Sequence, residues 1–251
     1  MRHVPTDYFE RLHEAERRHW WNRGMRLISW SLLGDRLERE SVRVLDAGCG
    51  TGVFLAALLD RISARTAAGV DVDPRALAIA ETYLPQADFR TASVAELPFE
   101  DASFDLIVLN DVLQHVQEGE VTRALAELRR VADRAAALLV RTNGARSTRR
   151  ERDDWRTYDL STLGQTLAAA GFDCERLTYA NTLGSLLTVF RRREPTAPTA
   201  TTSGIPAGDS RVRDAVGILT LRAEAAYLAR AGRRLPYGHT LFALAGPSPG
   251  A

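Results

Sequence analysis

Three glycines at alternate positions, Gly48, Gly50 and Gly52, follow directly on the aliphatic run Val42-Arg43-Val44-Leu45-Asp46-Ala47. That run suits a buried strand, because branched aliphatic side chains pack well on a pleated surface. After the glycines, Val53-Phe54-Leu55-Ala56-Ala57-Leu58-Leu59 reads as a helix. Strand, glycine turn, helix is the layout that lets a backbone approach a nucleotide-like ligand, since no Cβ stands in the way. A dinucleotide fingerprint would need G-x-G-x-x-G/A, and its third small residue falls on Val53. Together with Asp46 ahead of the first glycine, that weakens an NAD(P)-dependent oxidoreductase reading.

Downstream, Ala67-Ala68-Gly69-Val70-Asp71-Val72-Asp73-Pro74 reads as a second strand ending in acids. Asp71 lies about twenty residues beyond the glycines, where an acidic side chain can accept two ribose hydroxyls. Asp73 is the better helix cap, with Pro74 in the first turn of a helix over 75–83. Residues 87–92 form a third short strand, followed by Ser93 and Val94. A fourth strand, Phe104-Asp105-Leu106-Ile107-Val108-Leu109, runs into Asn110-Asp111-Val112-Leu113-Gln114-His115. Ligands of open parallel sheets sit outside the carboxyl ends of the strands, so Asn110, Asp111 and His115 are the polar residues nearest any chemistry. His115 is either a general base, given an ordinary pKa near neutrality, or a structural residue holding the turn.

The run Val44–Gly52, V-L-D-A-G-C-G-T-G, resembles motif I of the class I S-adenosylmethionine (SAM) dependent methyltransferases. G-V-D-V-D-P at 69–74 resembles that family's second motif, and the stretch from Phe104 to Val116 is similar to its fourth-strand segment. By resemblance, Asp46, Ala47, Gly48 and Gly50 contact the cofactor, Asp71 takes its ribose and Val72 packs on adenine. Ser93 stands where the family carries an aspartate to the adenine amine, and a serine hydroxyl can accept that hydrogen bond without charge assistance. Val94 then offers its backbone amide to the ring, and the Asn110 backbone faces the methionine end. The N-terminal Trp20-Trp21-Asn22-Arg23 segment either anchors its helix on the core or, as in many small-molecule methyltransferases, places Trp21 and Arg23 over the cofactor. The implied reaction transfers methyl from SAM to a hydroxyl or amine of a small molecule, a bacterial natural product by preference, leaving S-adenosylhomocysteine (SAH). Asp111 and His115 are the candidate catalytic pair. A non-catalytic SAM-binding protein is the other alternative.

Strands alternating with helices imply an α/β, doubly wound, mostly parallel sheet, and the family adds a seventh, antiparallel strand beside the sixth. The chain of 251 residues reads as one methyltransferase domain: a helical cap over 1–40, a SAM-binding core over 41–193, an insertion over 194–235, and a final strand and tail over 236–251. Helix signals recur over 118–131 and from Ser161 or Asp159 to Gly171, and strands over 135–141, 172–181 and 239–245. The polar run 142–152 and the Pro/Thr-rich run 194–210 read as loops, the insertion serving as a lid or a dimer contact. With 33 basic residues, all arginine, against 32 acidic ones, no basic excess points to nucleic acid. Two cysteines, Cys49 and Cys174, suit neither a zinc site nor a disulfide framework. No leader or membrane span is apparent, so a cytoplasmic monomer or homodimer is expected, with no metal.

Overall fold

The computed structural model describes residues 7–144, 156–182 and 211–249. The N-terminal helical signal resolves into α1 (Tyr8–Arg18) and α2 (Trp20–Leu33), then a short 3-10 helix, Gly34–Glu38. His19 recurs at helical spacing after Tyr8, Phe9, Leu12 and Ala15, yet its own backbone is extended, with φ −65° and ψ 133°. Its Nδ1 accepts the Trp21 amide at 3.3 Å, so His19 ends α1 and caps α2.

The core alternates strands and helices: β1 (Val42–Ala47), α3 (Val53–Leu59), β2 (Ala64–Asp71), α4 (Pro74–Tyr83), β3 (Asp88–Thr91) and β4 (Phe104–Asn110). It continues with α5 (Val121–Val131), β5 (Ala132–Asn143), α6 (Leu160–Ala169), β6 (Phe172–Ala180), α7 (Arg211–Leu228) and β7 (Thr240–Pro247). Local signals account for the boundaries. Asp73 caps α4 by accepting the Arg75 amide, with Pro74 at the first helical position. Asp159, not Ser161, caps α6 through a reciprocal box with Thr162. Gly171 leaves that helix at φ 78°, in the left-handed region. The polar run 142–152 falls largely, and the run 194–210 wholly, outside the described residues.

The seven strands are ordered β3-β2-β1-β4-β5-β7-β6. All neighbours are parallel except β7, which slots antiparallel between β5 and β6. Side chains alternate between two apolar layers. Leu45, Ile107, Leu109, Leu138 and Val140 face α5 and α6, whose Leu125, Leu128, Leu163 and Leu167 complete one core. Val44, Leu106, Val108 and Leu139 face α2, α3 and α7, whose Met25, Ile28, Leu55, Leu58 and Leu221 complete the other. Helices α2 and α7 cross closely: a Cβ on Gly24 would strike Leu221, and one on Gly217 would strike Trp20.

The strand order runs outward in opposite directions from the parallel β1–β4 pair. The crevice outside their carboxyl ends is therefore the switch point where an open α/β sheet takes its ligand. At the opposite end, Arg43 ties β1 to Asp105 and Asp133, at 2.6 and 3.3 Å.

Candidate functional site

The glycine turn leaves β1 with Gly48, Gly50 and Gly52 at φ 82°, 52° and 77°, all left-handed. Other residues resist that conformation. The amides of Gly48 and Cys49 both donate to the Val70 carbonyl, at 2.7 and 2.9 Å, pinning the turn onto the end of β2. A Cβ on Gly48 would collide with Val112, whereas nothing lies within 4 Å of the Cβ position of Gly50. The turn is thus packed on one side and open on the other.

Asp71, at the end of β2, accepts the Gly50 amide on Oδ2 at 2.9 Å and the Asp73 amide on Oδ1 at 3.0 Å. Its neighbour Val72 is 70% exposed, a large apolar side chain facing outward beside the crevice. Asp46 is 1% exposed, and neither carboxylate oxygen has a partner among the described residues. Burial, reinforced by the nearby Glu16 charge and opposed by Arg141, pushes its carboxyl up to about 7. Asn110, at the end of β4, likewise has both side-chain amide atoms buried and unpartnered. Buried polar groups are normally hydrogen-bonded, so two such residues flanking one open turn indicate groups waiting for a ligand.

Sequence reasoning missed two further residues, Glu16 and Arg141. Helix α1 lies over the turn, where Glu16 accepts a hydrogen bond from Thr51 Oγ1 at 2.9 Å. Arg141, at the carboxyl end of β5 and only 8% exposed, donates through Nε and Nη2 to Asp111 Oδ2 at 3.0 and 2.6 Å. Its guanidinium also stacks over the Trp21 ring at 5.4 Å. Position at a strand's carboxyl end could have flagged Arg141. Glu16 sits in the highly charged stretch Glu14-Ala15-Glu16-Arg17-Arg18 and carries no local signal.

Around the crevice, then, the fold gathers Trp21, Asp46, Ala47, Gly48, Gly50, Asp71, Asn110 and Asp111. Asp111 takes a left-handed φ of 56°, which turns the chain out of β4. Ser93 lies just beyond β3, exposed, with its Oγ accepting the Ala95 amide at 3.1 Å, and Val94 beside it is buried. His115 is exposed in the turn after β4, its amide donating to Val112 O at 2.8 Å. Arg23 lies elsewhere. It lines a cavity of about 700 Å³ between α2, α3 and α7, with Trp30, Arg61 and Arg222. No group of three or more His, Cys, Asp or Glu suited to a metal ion occurs among the described residues. None of the described helices is long and apolar enough to cross a membrane.

Residues 44–134, which hold the turn, Asp71, Asn110 and Asp111, match the family model described as a methyltransferase domain. Over that segment the chain carries a methyltransferase domain, similar to those of proteins named as SAM-dependent methyltransferases. Its similar relatives include a Mycolicibacterium smegmatis protein named "Probable S-adenosylmethionine-dependent methyltransferase", 29% identical over 64% of this chain and 62% of the relative. A malonyl-(acyl-carrier protein) O-methyltransferase of Erwinia billingiae is 30% identical over 54% of this chain and 52% of its own. A ubiquinone biosynthesis O-methyltransferase of Methylocella silvestris is 38% identical over 31% of each. The chain thus spans less than two thirds of these curated relatives.

Among solved structures, the fold of this chain matches a TehB-like SAM-dependent methyltransferase of Corynebacterium glutamicum with TM-score 0.58 and 16% identity, covering 96% and 97% of the two chains. It equally matches a 4+2 cyclase, SpnF, with TM-score 0.58 and 21% identity, covering 90% and 81%. At those identities the likeness is one of fold.

Proposed function

We propose that the chain binds SAM across the glycine turn and transfers its methyl group to a hydroxyl or amine of a small molecule. One observation carries this: at the carboxyl ends of the adjacent strands β1 and β4, beside a glycine turn open at Gly50, the buried side chains of Asp46 and Asn110 have no partner among the described residues. Such groups fit the charged, donor-rich methionine end of SAM, and Asp71 and Val72 fit its ribose and adenine. Ser93 and the Val94 amide serve the adenine edge, and Trp21 covers the crevice.

When bound, SAM supplies a methyl group already activated by its sulfonium. What remains for the protein is alignment and exclusion of water, which can lower a barrier by ~7–11 kcal/mol. Trp21, held against Arg141, excludes water from above. The Asp111–Arg141 pair shapes the acceptor side, and His115 takes the proton of a hydroxyl acceptor on its imidazole. Relatives named as O-methyltransferases support an oxygen acceptor, and the balanced net charge supports a small one over a nucleic acid. The seven described strands form one sheet, which supports reading the chain as a single domain.

Because the fold also houses a cyclase, cofactor binding and methyl transfer are separate questions. Calorimetric titration with SAM, SAH and NAD(H) tests the first. Binding of both sulfur ligands and not NAD(H) is expected, and binding of NAD(H) alone would overturn the reading. A mass gain of one methyl group on an acceptor tests the second, and SAM binding without such a product across an acceptor screen would favour the non-catalytic alternative.

A further inference from the structure

We infer that Glu16 is a cofactor-binding residue: carried in by α1, it joins Asp46 to form a two-carboxylate seat for the cationic amino-acid end of SAM. The inference rests on the SAM-binding reading above and extends it to a helix outside the matched segment 44–134.

Helix α1 is fastened in place by contacts that have no need of Glu16. His13 meets the Tyr83 ring edge-on with centroids 4.6 Å apart, Arg17 lies over the same ring at 5.4 Å, and Arg75 lies over Phe9 at 5.0 Å. Arg26 of α2 donates to the Glu16 carbonyl at 2.8 Å. These contacts deliver the Glu16 carboxylate to Thr51, in the middle of the glycine turn, at 2.9 Å. The hydroxyl of Thr51 occupies one carboxylate oxygen, Oε2, and leaves the other for a second partner.

Asp46, with both oxygens unpartnered among the described residues, feels the Glu16 charge and can share that partner, and Asp71 and Asp111 add to the same negative field. Arg141 and Arg26 are the cations facing it, and Arg141 is already spent on Asp111. The cluster is short of positive charge in a place where water is scarce. An alkylammonium answers that need, since it donates three hydrogen bonds and carries the missing charge.

The probes are SAM, SAH and 5′-methylthioadenosine, which keeps the adenosine and sulfur but lacks the amino-acid end. Glu16→Gln preserves the acceptor for Thr51 while removing the charge. Calorimetry on this variant is expected to show SAM and SAH weakened about tenfold or more, the scale of a charge-assisted hydrogen bond. Methylthioadenosine should bind as to the unmodified chain. Equal weakening of all three ligands would mean that Glu16 acts only through the turn, and unchanged SAM affinity would remove it from the site; either result overturns the inference. Thr51→Val, which frees the latch without removing the charge, should weaken SAM less than Glu16→Gln, and an equal or larger loss would assign the effect to the turn. An unmodified, folded chain that bound neither SAM nor SAH would instead refute the cofactor reading itself.

Discussion

Arg141 gives two of its guanidinium N–H groups to a single oxygen of Asp111, joining the carboxyl ends of β4 and β5 beneath Trp21. The same two residues are linked through the backbone, where the Asp111 amide donates to the Arg141 carbonyl at 2.8 Å. Removing one partner of a largely buried pair strands the other charge, which costs more than the pair contributes. Arg141→Met should therefore lower stability by about 1–3 kcal/mol in denaturant titrations. Asp111→Asn combined with Arg141→Met should restore part of that loss. Additive single losses would mean the two residues do not act as a pair.

The carboxyl of Asp46 sits at about 7 in the folded chain, well above its ordinary value of 3.8. The sign follows from proton counts: between those values the folded state holds a proton that the unfolded state has released. Stability from this group is thus complete at low pH and is lost as pH rises towards about 7. Asp46→Asn, which never charges, should raise the melting temperature of the ligand-free chain, and more so at pH 8 than at pH 4. A cation seated on Asp46 favours the ionised form, so SAM affinity should rise with pH up to about 7 and level off above it. One linked proton gives a slope of at most about tenfold per pH unit. The groups facing Asp46 are Glu16, Asp71 and Arg141, and a slope that survives in Asp46→Asn would transfer the linkage to one of those acids.

Gly48 and Gly50 share a left-handed backbone but differ in their surroundings. Gly48→Ala adds a clash with Val112 to the backbone strain and should destabilise the fold by about 2–4 kcal/mol. Gly50→Ala meets open space, so its cost should stay near the conformational penalty of about 1 kcal/mol. That Cβ projects where the ligand would approach, so SAM affinity should drop despite the small loss of stability. Thermal melts beside calorimetry separate the two effects, and equal destabilisation by both variants would contradict the packing described.

His115→Ala should reduce turnover of a hydroxyl acceptor by about a hundredfold, a typical contribution of a positioned base. SAM affinity should be unaffected, because the exposed imidazole lies in the turn after β4 and not in the glycine turn. Steady-state kcat and a separate SAM titration decide it. Undiminished turnover would return His115 to holding its turn.

The glycine turn, Asp71, the cap at Asp73 and the ends of β4 could be read from the chain because their causes are local. Left-handed glycines, an N-cap followed by proline, and runs of branched aliphatics each act within a few residues. Assigning β7 a place beside β6 was also within reach, although its insertion between β5 and β6 depends on pairings across the whole sheet. Arg23 shows the limit of a local reading. Two positions along α2, about 200° around the helix, separate Trp21 against Arg141 from Arg23 in the cavity that α2 shares with α3 and α7.

By its own pattern, then, the amino-acid sequence determined the alternating α/β order, the open glycine turn and the acids at the ends of β1 and β2. Tertiary structure alone decided that Glu16 would meet Thr51, 35 positions away, and that Arg141 would meet Asp111, 30 positions away. Periodicity says which face of an element is apolar, but a single charged side chain has no period. Its partner is set by how helices and strands dock, and docking is driven by the burial of the apolar faces on the other side.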